Sequence, residues 1–294
     1  MDYAVEIINA RFADEPAFDF KLKKANLALI VDPEERRSAG ILMLLAGITF
    51  IRSGRVLVFG HELEEKRQRI AYLPQDFEVH STGSVKDLIK DWAKVLKLAD
   101  PEQSAAEVLD LVDLGAQAEL IVNDLSSEQR DWLLFAGALL ASPELLLINH
   151  RQKFMDYRNK KKLLRLLDKL RSLSAVTIIV AVSSLDELAE LADEIFLVKA
   201  GRLIPLAKQN LLQTKSKVEL IVDNPARAAI VLEAAKIPYR VSGSSSLEAE
   251  VEEAWEVNQI LIEGGVKLHA SIPLENDLQR RVEALLEGEG HGVL

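Results

Sequence analysis

Four apolar runs set the limits on what this chain can fold into: "ANLALIV" (25–31), "ELLLIN" (144–149), "AVTIIVAV" (175–182) and "EIFLV" (194–198). Each is hydrophobic almost without interruption. A strand with one face in water alternates, whereas a strand that is apolar throughout is covered on both faces. Helical segments lie between the runs, among them "SAGILMLLAGI", "SSEQRDWLLFAGALLAS" and "LDELAELAD". Buried strands alternating with helices predict a parallel sheet layered between helices, an α/β architecture. Hydrophobic residues make up 49 % of the 294, enough to fill such a core.

Other segments complete the plan. "YAVEIINARF", "SGRVLVFG" and "RIAYLPQ" read as strands, and Val85 to Leu120 as mostly helical, with Asp100-Pro101-Glu102 opening one helix. "EIFLVKAGRLI" reads as a strand. After Ala207 the pattern changes to β-α-β-β-α-β: "KVELIVD", "PARAAIVLEAAKI", "YRVSG", "SLEAEV", "EAWEVNQILIEGG" and "KLHASIP". That order predicts a ferredoxin-like α+β unit. The expected organisation is a first domain over 1–207, with a helical subdomain at roughly 76–140. A linker at 208–216, a small domain at 217–287 and a tail at 288–294 follow.

Charge and cysteine content exclude several functions. A net charge of −10 argues against general attraction to nucleic acid or anionic lipid. With no cysteine there is neither a disulfide nor a thiolate metal site, and the five histidines are dispersed, so no metal site is expected. The acidic, alternating start does not read as a signal peptide, and no apolar run reaches the ~20 residues that span a bilayer. Arg158 to Lys162 with Arg165 reads as a solvated basic helix face. Trp92, Trp132 and Trp255 read as core or interface residues.

The stretch "VDPEERRSAGILMLLAGI" (31–48) carries the functional question. A strand, a tight turn and a helix in this order frame a phosphate-binding loop. The turn holds Asp, Pro, two Glu and two Arg where glycines and a lysine belong. Read by itself, Asp32-Pro33-Glu34-Glu35 is a helix start, with Asp32 as N-cap, Pro33 at the first helical position and carboxylates in the first turn.

Over roughly Met1 to Ala207 the sequence resembles the ATPase subunit of ATP-binding-cassette (ABC) transporters. "LLAGI…SGRVLVFG", "RIAYLPQ", "NDLSSEQRDWLLFAGALLASPELLLINH" and "VTIIVAVSSLDELAELADEIFLVKAGRLI" carry the likeness. The C-terminal part is similar to the small domain that follows the ATPase in drug- and sodium-efflux exporters. There "PLENDLQRRV" matches the family's pattern without its aromatic.

The resemblance implies an ABC ATPase fold, a phosphate-loop NTPase architecture, whose chemical positions are altered. The phosphate loop (Walker A) falls on Asp32, Pro33, Glu34, Glu35, Arg36, Arg37, Ser38, Ala39 and Gly40. Ser38 stands at the lysine and Ala39 at the Mg²⁺-binding hydroxyl. The Walker B strand ends in Asn149 and His150, the switch histidine is Ser183, and the signature is Ser126, Ser127, Glu128, Gln129 after Leu125. The Q-loop Gln75, Ser126 and the D-loop-like Asp156 are retained, and Phe12 falls near the adenine-stacking position, with an apolar packing role equally open to it.

This pattern implies a non-hydrolysing subunit without cofactor, catalytic residue or metal. ATP and Mg²⁺ would be needed only if the site is an unusual but working one. The implied partners are a membrane permease and either an active ATPase paralogue or a second copy, with Glu35 of one copy near Glu128 of the other. The implied location is the cytoplasmic face of a membrane, reached through the permease.

Overall fold

The computed structural model describes residues 2–12, 15–66, 69–75, 77–149, 157–185, 188–207, 216–251 and 254–273. The chain divides into two compact units, Met1–Leu206 and Ala207–Leu294.

The first unit opens with β1 (Tyr3–Arg11), β2 (Phe18–Lys23), β3 (Leu27–Val31) and α1 (Arg36–Leu45). Next come β4 (Ser53–Val58), β5 (His61–Glu62), α2 (Leu63–Lys66) and β6 (Ile70–Leu73). A helical stretch supplies α3 (Val85–Val95), α4 (Pro101–Leu111) and α5 (Ser127–Leu139). The unit closes with β7 (Leu145–Asn149), α6 (Tyr157–Ser174), β8 (Thr177–Val182), α7 (Leu188–Leu191), β9 (Glu194–Lys199) and β10 (Arg202–Leu206).

The central sheet has the order β10-β9-β3-β8-β7-β6 and is parallel from β9 to β6. Its inner strands β3 and β8 are buried at every position, as their unbroken apolar sequences require. β10 is antiparallel to β9, and the chain reverses at Ala200 and Gly201, with φ 48° and 70°. "EIFLVKAGRLI" is therefore a hairpin rather than one strand. Both halves suit a strand, and only the left-handed backbone between them separates the two.

A second, antiparallel sheet has the order β2-β1-β4-β5. Its inward residues Val5, Ile7, Phe20 and Leu22 join Ile41, Leu44 and Leu45 of α1 and Ala28, Ile30, Leu147 and Ile179 of the central sheet in one core cluster. α1 is thus packed into the core that unites the two sheets. This burial fixes where its N-terminus points.

Local capping starts the helices of the helical stretch. Ser84 accepts from the Asp87 amide at 3.1 Å, and Asp100, just before Pro101, accepts from the Gln103 amide at 2.9 Å. Glu102 ties α4 to Lys86 and Lys90 of α3 at 2.6 and 2.8 Å. On α5, Gly137 lets the Trp92 ring lie close; a Cβ there would stand 2.4 Å from it.

The second unit contains β11 (Ser216–Val222), α8 (Pro225–Ala234), β12 (Tyr239–Val241), β13 (Ser246–Val251), α9 (Ala254–Glu263) and β14 (Leu268–Pro273). Its sheet is antiparallel with the order β12-β13-β11-β14. Val218, Leu220, Leu247 and Ala249 of the sheet pack with Ala228 and Leu232 of α8 and Val257 and Leu261 of α9. Asn224 caps α8 ahead of Pro225, accepting from the Arg227 amide at 3.0 Å. Ser216, assigned to the linker on sequence grounds, opens β11. The remainder of that linker, the segment "PLENDLQRRV" beyond Pro273, the tail 288–294 and the Trp255 side chain lie outside the described residues.

Candidate functional site

Parallel pairing brings the ends of four strands to one edge of the central sheet. Val31 is beside Val182, Asn149 is beside Ala181, and Leu73 is beside Ile148. Crevices at the carboxyl ends of such strands are where α/β proteins place ligands. The loop after β3, the ends of β7 and β8 and the exit of β6 therefore share one neighbourhood.

The loop does not start the helix where the sequence suggested. Asp32 was expected as N-cap and Pro33 as the first helical residue. α1 begins at Arg36 instead, with Glu35 as the N-cap residue at φ 60° and ψ −5°, making no side-chain cap. The Glu35 amide donates to the Asp32 carbonyl at 2.9 Å, closing a turn with Pro33 at its second position. Asp-Pro serves equally as a helix start or as the first half of such a turn, and here the turn wins. The Asp32 amide, donating to the Val182 carbonyl at 2.8 Å, anchors the turn to β8.

Asp32 still supplies the anion at the helix start, from further away. Its side chain is only 1 % exposed. One carboxylate oxygen accepts from the Ser38 amide at 2.8 Å, the other from the Glu34 amide at 3.2 Å. A negative group at a partly buried helix N-terminus contributes up to ~2 kcal/mol.

Glu35 holds a left-handed backbone that glycine adopts freely; for another residue it costs about 1–2 kcal/mol. Its carboxylate accepts a hydrogen bond from the Gln75 side-chain amide at 2.7 Å. A bond to a charged group contributes ~1.5–3 kcal/mol net, enough to offset that strain.

Arg37 turns inward and is 4 % exposed. Its guanidinium lies 4.5 Å from the Phe12 ring centre and 4.7 Å from that of Phe18. Nη2 donates to the Pro16 carbonyl at 2.8 Å, and Nη1 stands 3.7 Å from a Glu15 oxygen. Nε and Nη1 make no hydrogen bond. Burial lowers the Arg37 pKa, opposed by the charges of Glu15 and Asp32; arginine stays cationic even so. Phe12 also packs on α1, where a Cβ on Gly40 would come within 2.5 Å of its ring. Of the two roles open to Phe12, adenine stacking and apolar packing, the second is found: its ring lies in the core cluster and faces the chain's own guanidinium. No sequence spacing announced this stack or the bond between Glu35 and Gln75.

The remaining positions fall into two groups. Asn149 ends β7, half-buried, near Tyr72; burial raises the Tyr72 pKa and the Asn149 side chain opposes the rise. Ser183 follows β8 directly, also half-buried, and Ala39 lies in the first turn of α1. His150 and Asp156 lie outside the described residues.

The signature stretch forms the start of α5. Ser126 is the N-cap, its hydroxyl accepting from the Gln129 amide at 3.2 Å while the Gln129 side chain accepts from the Ser126 amide at 2.9 Å. Ser127 and Glu128 are exposed in the first turn. On the basic helix Lys161 and Arg165 are exposed, as expected of a solvated face, and Lys162 departs from it. Lys162 lies 4.1 Å from the Trp132 ring centre, bonds the Val112 carbonyl and pairs with Asp113 at 3.5 Å; burial lowers its pKa. Among the described residues, no cluster of three or more His, Cys, Asp or Glu could hold a metal ion, and no helix is long and apolar enough to cross a membrane.

No family model matches the chain. Similar curated proteins include a methionine import ATP-binding protein, MetN, of Lactobacillus acidophilus, 26 % identical over 183 residues, 62 % of this chain and 52 % of the relative. MetN of Mesorhizobium japonicum is 27 % identical over 210 residues, 67 % of this chain and 58 % of the relative. The molybdenum import ATP-binding protein ModC of Brucella melitensis is 29 % identical over 171 residues, 55 % and 47 %. The chain spans about half the length of the curated relatives it matches. Their names assign import, not efflux.

Among solved structures, cbiO1 of Clostridium perfringens, part of an ABC transporter complex, superposes with a TM-score of 0.62 at 17 % identity, covering 72 % of this chain and 91 % of that one. A dimeric ATP-binding cassette bound to ADP and Pi gives 0.60 at 17 % identity, covering 68 % and 96 %.

Proposed function

We propose that this chain, which has the fold of the ABC ATPases, is a transporter subunit that works without a nucleotide of its own. It would be a non-hydrolysing partner or scaffold beside an active ATPase subunit, docked on a membrane permease at the cytoplasmic face. The seat of Asp32 carries the proposal. In a working loop, backbone N–H groups and a lysine receive phosphate oxygens. Here the Ser38 amide is already bonded to a buried carboxylate, and a serine stands at the lysine position.

Mg-ATP does not fit the residues present. Ala39 offers no hydroxyl to Mg²⁺, Asn149 is a weak ligand for it, and Phe12 is covered by Arg37. No reaction step is therefore assigned to the site. The efflux likeness of the C-terminal part finds no support in the relatives, which are import proteins by name.

A second reading, an unusual but working ATP site, draws on the retained Gln75 and Ser126. The bond of Gln75 to Glu35 and of Ser126 to Gln129 leaves it little support. A pair with a paralogue is preferred to a pair of two copies, since the neutral Gln75 amide that bonds Glu35 does not cancel its charge, and two copies would set that carboxylate near Glu128 of the other. Calorimetric titration of the pure chain with Mg-ATP tests the proposal. No binding heat up to millimolar nucleotide is expected, and a micromolar dissociation constant would overturn it.

A further inference from the structure

The bond between Glu35 and Gln75 joins two places that the central sheet keeps apart. Glu35 belongs to the loop after β3, and Gln75 follows β6 by two residues. In the sheet order β3-β8-β7-β6, two strands lie between them. At about 4.8 Å per strand, the two exits stand roughly 14 Å apart, so only extended loops and long side chains bring them together.

The loop side is rigidly held. The Asp32 amide is bonded to the Val182 carbonyl, the Asp32 carboxylate to the Ser38 amide, and the Arg37 guanidinium sits between two rings. On the other side, the chain leaves β6 towards α3, passing exposed Phe77 and buried Val79 before the Ser81 amide reaches the Asn123 side chain at 3.1 Å.

We propose that Glu35 and Gln75 form a built-in latch, which fixes the segment from β6 to α3 against the loop with no ligand between them. The position of the segment leading to the α3–α5 arm is then set by the chain itself. The non-glycine residue at φ 60° is consistent with this role, since a side chain is retained where the backbone would favour none. The latch rests on the reading of the loop as free of nucleotide, and its test is arranged to fail separately from that reading.

Amide hydrogen exchange on the full chain, without nucleotide, is the test. Glu35→Gly removes the carboxylate while suiting the left-handed backbone, so the variant should fold as the parent does. It should raise exchange of the hydrogen-bonded Ser81 and Gly83 amides by about tenfold or more, leaving β3 and the body of α1 protected. Gln75→Glu, which sets two carboxylates face to face, should do the same. The exchanged pair, Glu35→Gln with Gln75→Glu, restores an amide opposite a carboxylate and should recover parental protection. Unchanged exchange in Glu35→Gly, or no recovery in the exchanged pair, would overturn the latch. Nucleotide binding by the parent would overturn the proposed function instead, and the variants measured without nucleotide would still report on the latch.

Discussion

Ser126 and Gln129 cap α5 by bonding each other, whereas α1 receives its cap from Asp32, six residues before the bonded amide. The first arrangement is local and exposed. It would serve almost any helix in any fold. The second is buried and depends on a turn, a left-handed residue and an anchor to β8. A helix start of this kind is set by its surroundings more than by its own first residues. The two ends should therefore differ sharply in how much they cost to disturb.

The strongest way to break this comparison is Asp32→Ala. It removes the acceptor for the buried Ser38 amide, and a loss of about 3 kcal/mol is expected in urea unfolding. Asp32→Asn keeps one carbonyl acceptor and should lose about half as much. If Asp32→Ala unfolds at the parent's urea concentration, α1 has no internal cap of consequence.

Next comes packing, where the two helices should behave alike. Gly40→Ala drives a methyl group into the Phe12 ring and Gly137→Ala drives one into the Trp92 ring. Each should cost about 1–3 kcal/mol in the same assay. Trp92 fluorescence should change in the Gly137 variant alone. A large disparity between the two losses would place the difference between the helices in packing and not in their caps.

A smaller effect, about 1 kcal/mol, is expected for Ser126→Ala, with Ser126→Asp close to the parent. A loss matching that of Asp32→Ala would erase the contrast between local and remote capping.

The smallest effect belongs to α4, which combines a local cap with an ion pair from outside. Hydrogen bonds from Lys86 and Lys90 hold the Glu102 pKa down at about 2. The folded value lies below the unfolded one of 4.5, so the stabilisation is present above that pH and is lost as pH falls towards 2. Glu102 is exposed, so salt should screen the effect. In acid titrations at low salt, the stability difference between parent and Glu102→Gln should shrink between pH 4.5 and 2. A difference that stays constant over that window would remove the ion pair from the account.

What the sequence disclosed follows the same line between local and remote. The strands β3, β7, β8 and β9 were legible because burial on both faces leaves an unbroken apolar run. The cap at Asp100 was legible because Asp-Pro-Glu is a local pattern, borne out by the bond to the Gln103 amide. The same dipeptide at Asp32 misled, since turn and helix start share its chemistry and only the anchor to Val182 decides between them. That an anion belongs at the start of α1 was readable; that it reaches back from a buried turn was not. The bond from Gln75 to Glu35 spans 40 residues, and no periodicity connects them. The stack of Arg37 between Phe12 and Phe18 depends on β1, β2 and α1 sharing one core.

The seat of Asp32 also bears on the history open to this chain. Asp32→Gly would return the Ser38 amide to an outside anion, yet it removes the acceptor that the folded protein now uses. Ser38→Lys, taken first, forces a long cation into a position that is 1 % exposed, next to a buried arginine. Each step towards an open anion loop is uphill by itself, and the benefit comes only when several are made together. Selection acting on single substitutions would find this loop easier to keep than to reopen, whichever state came first.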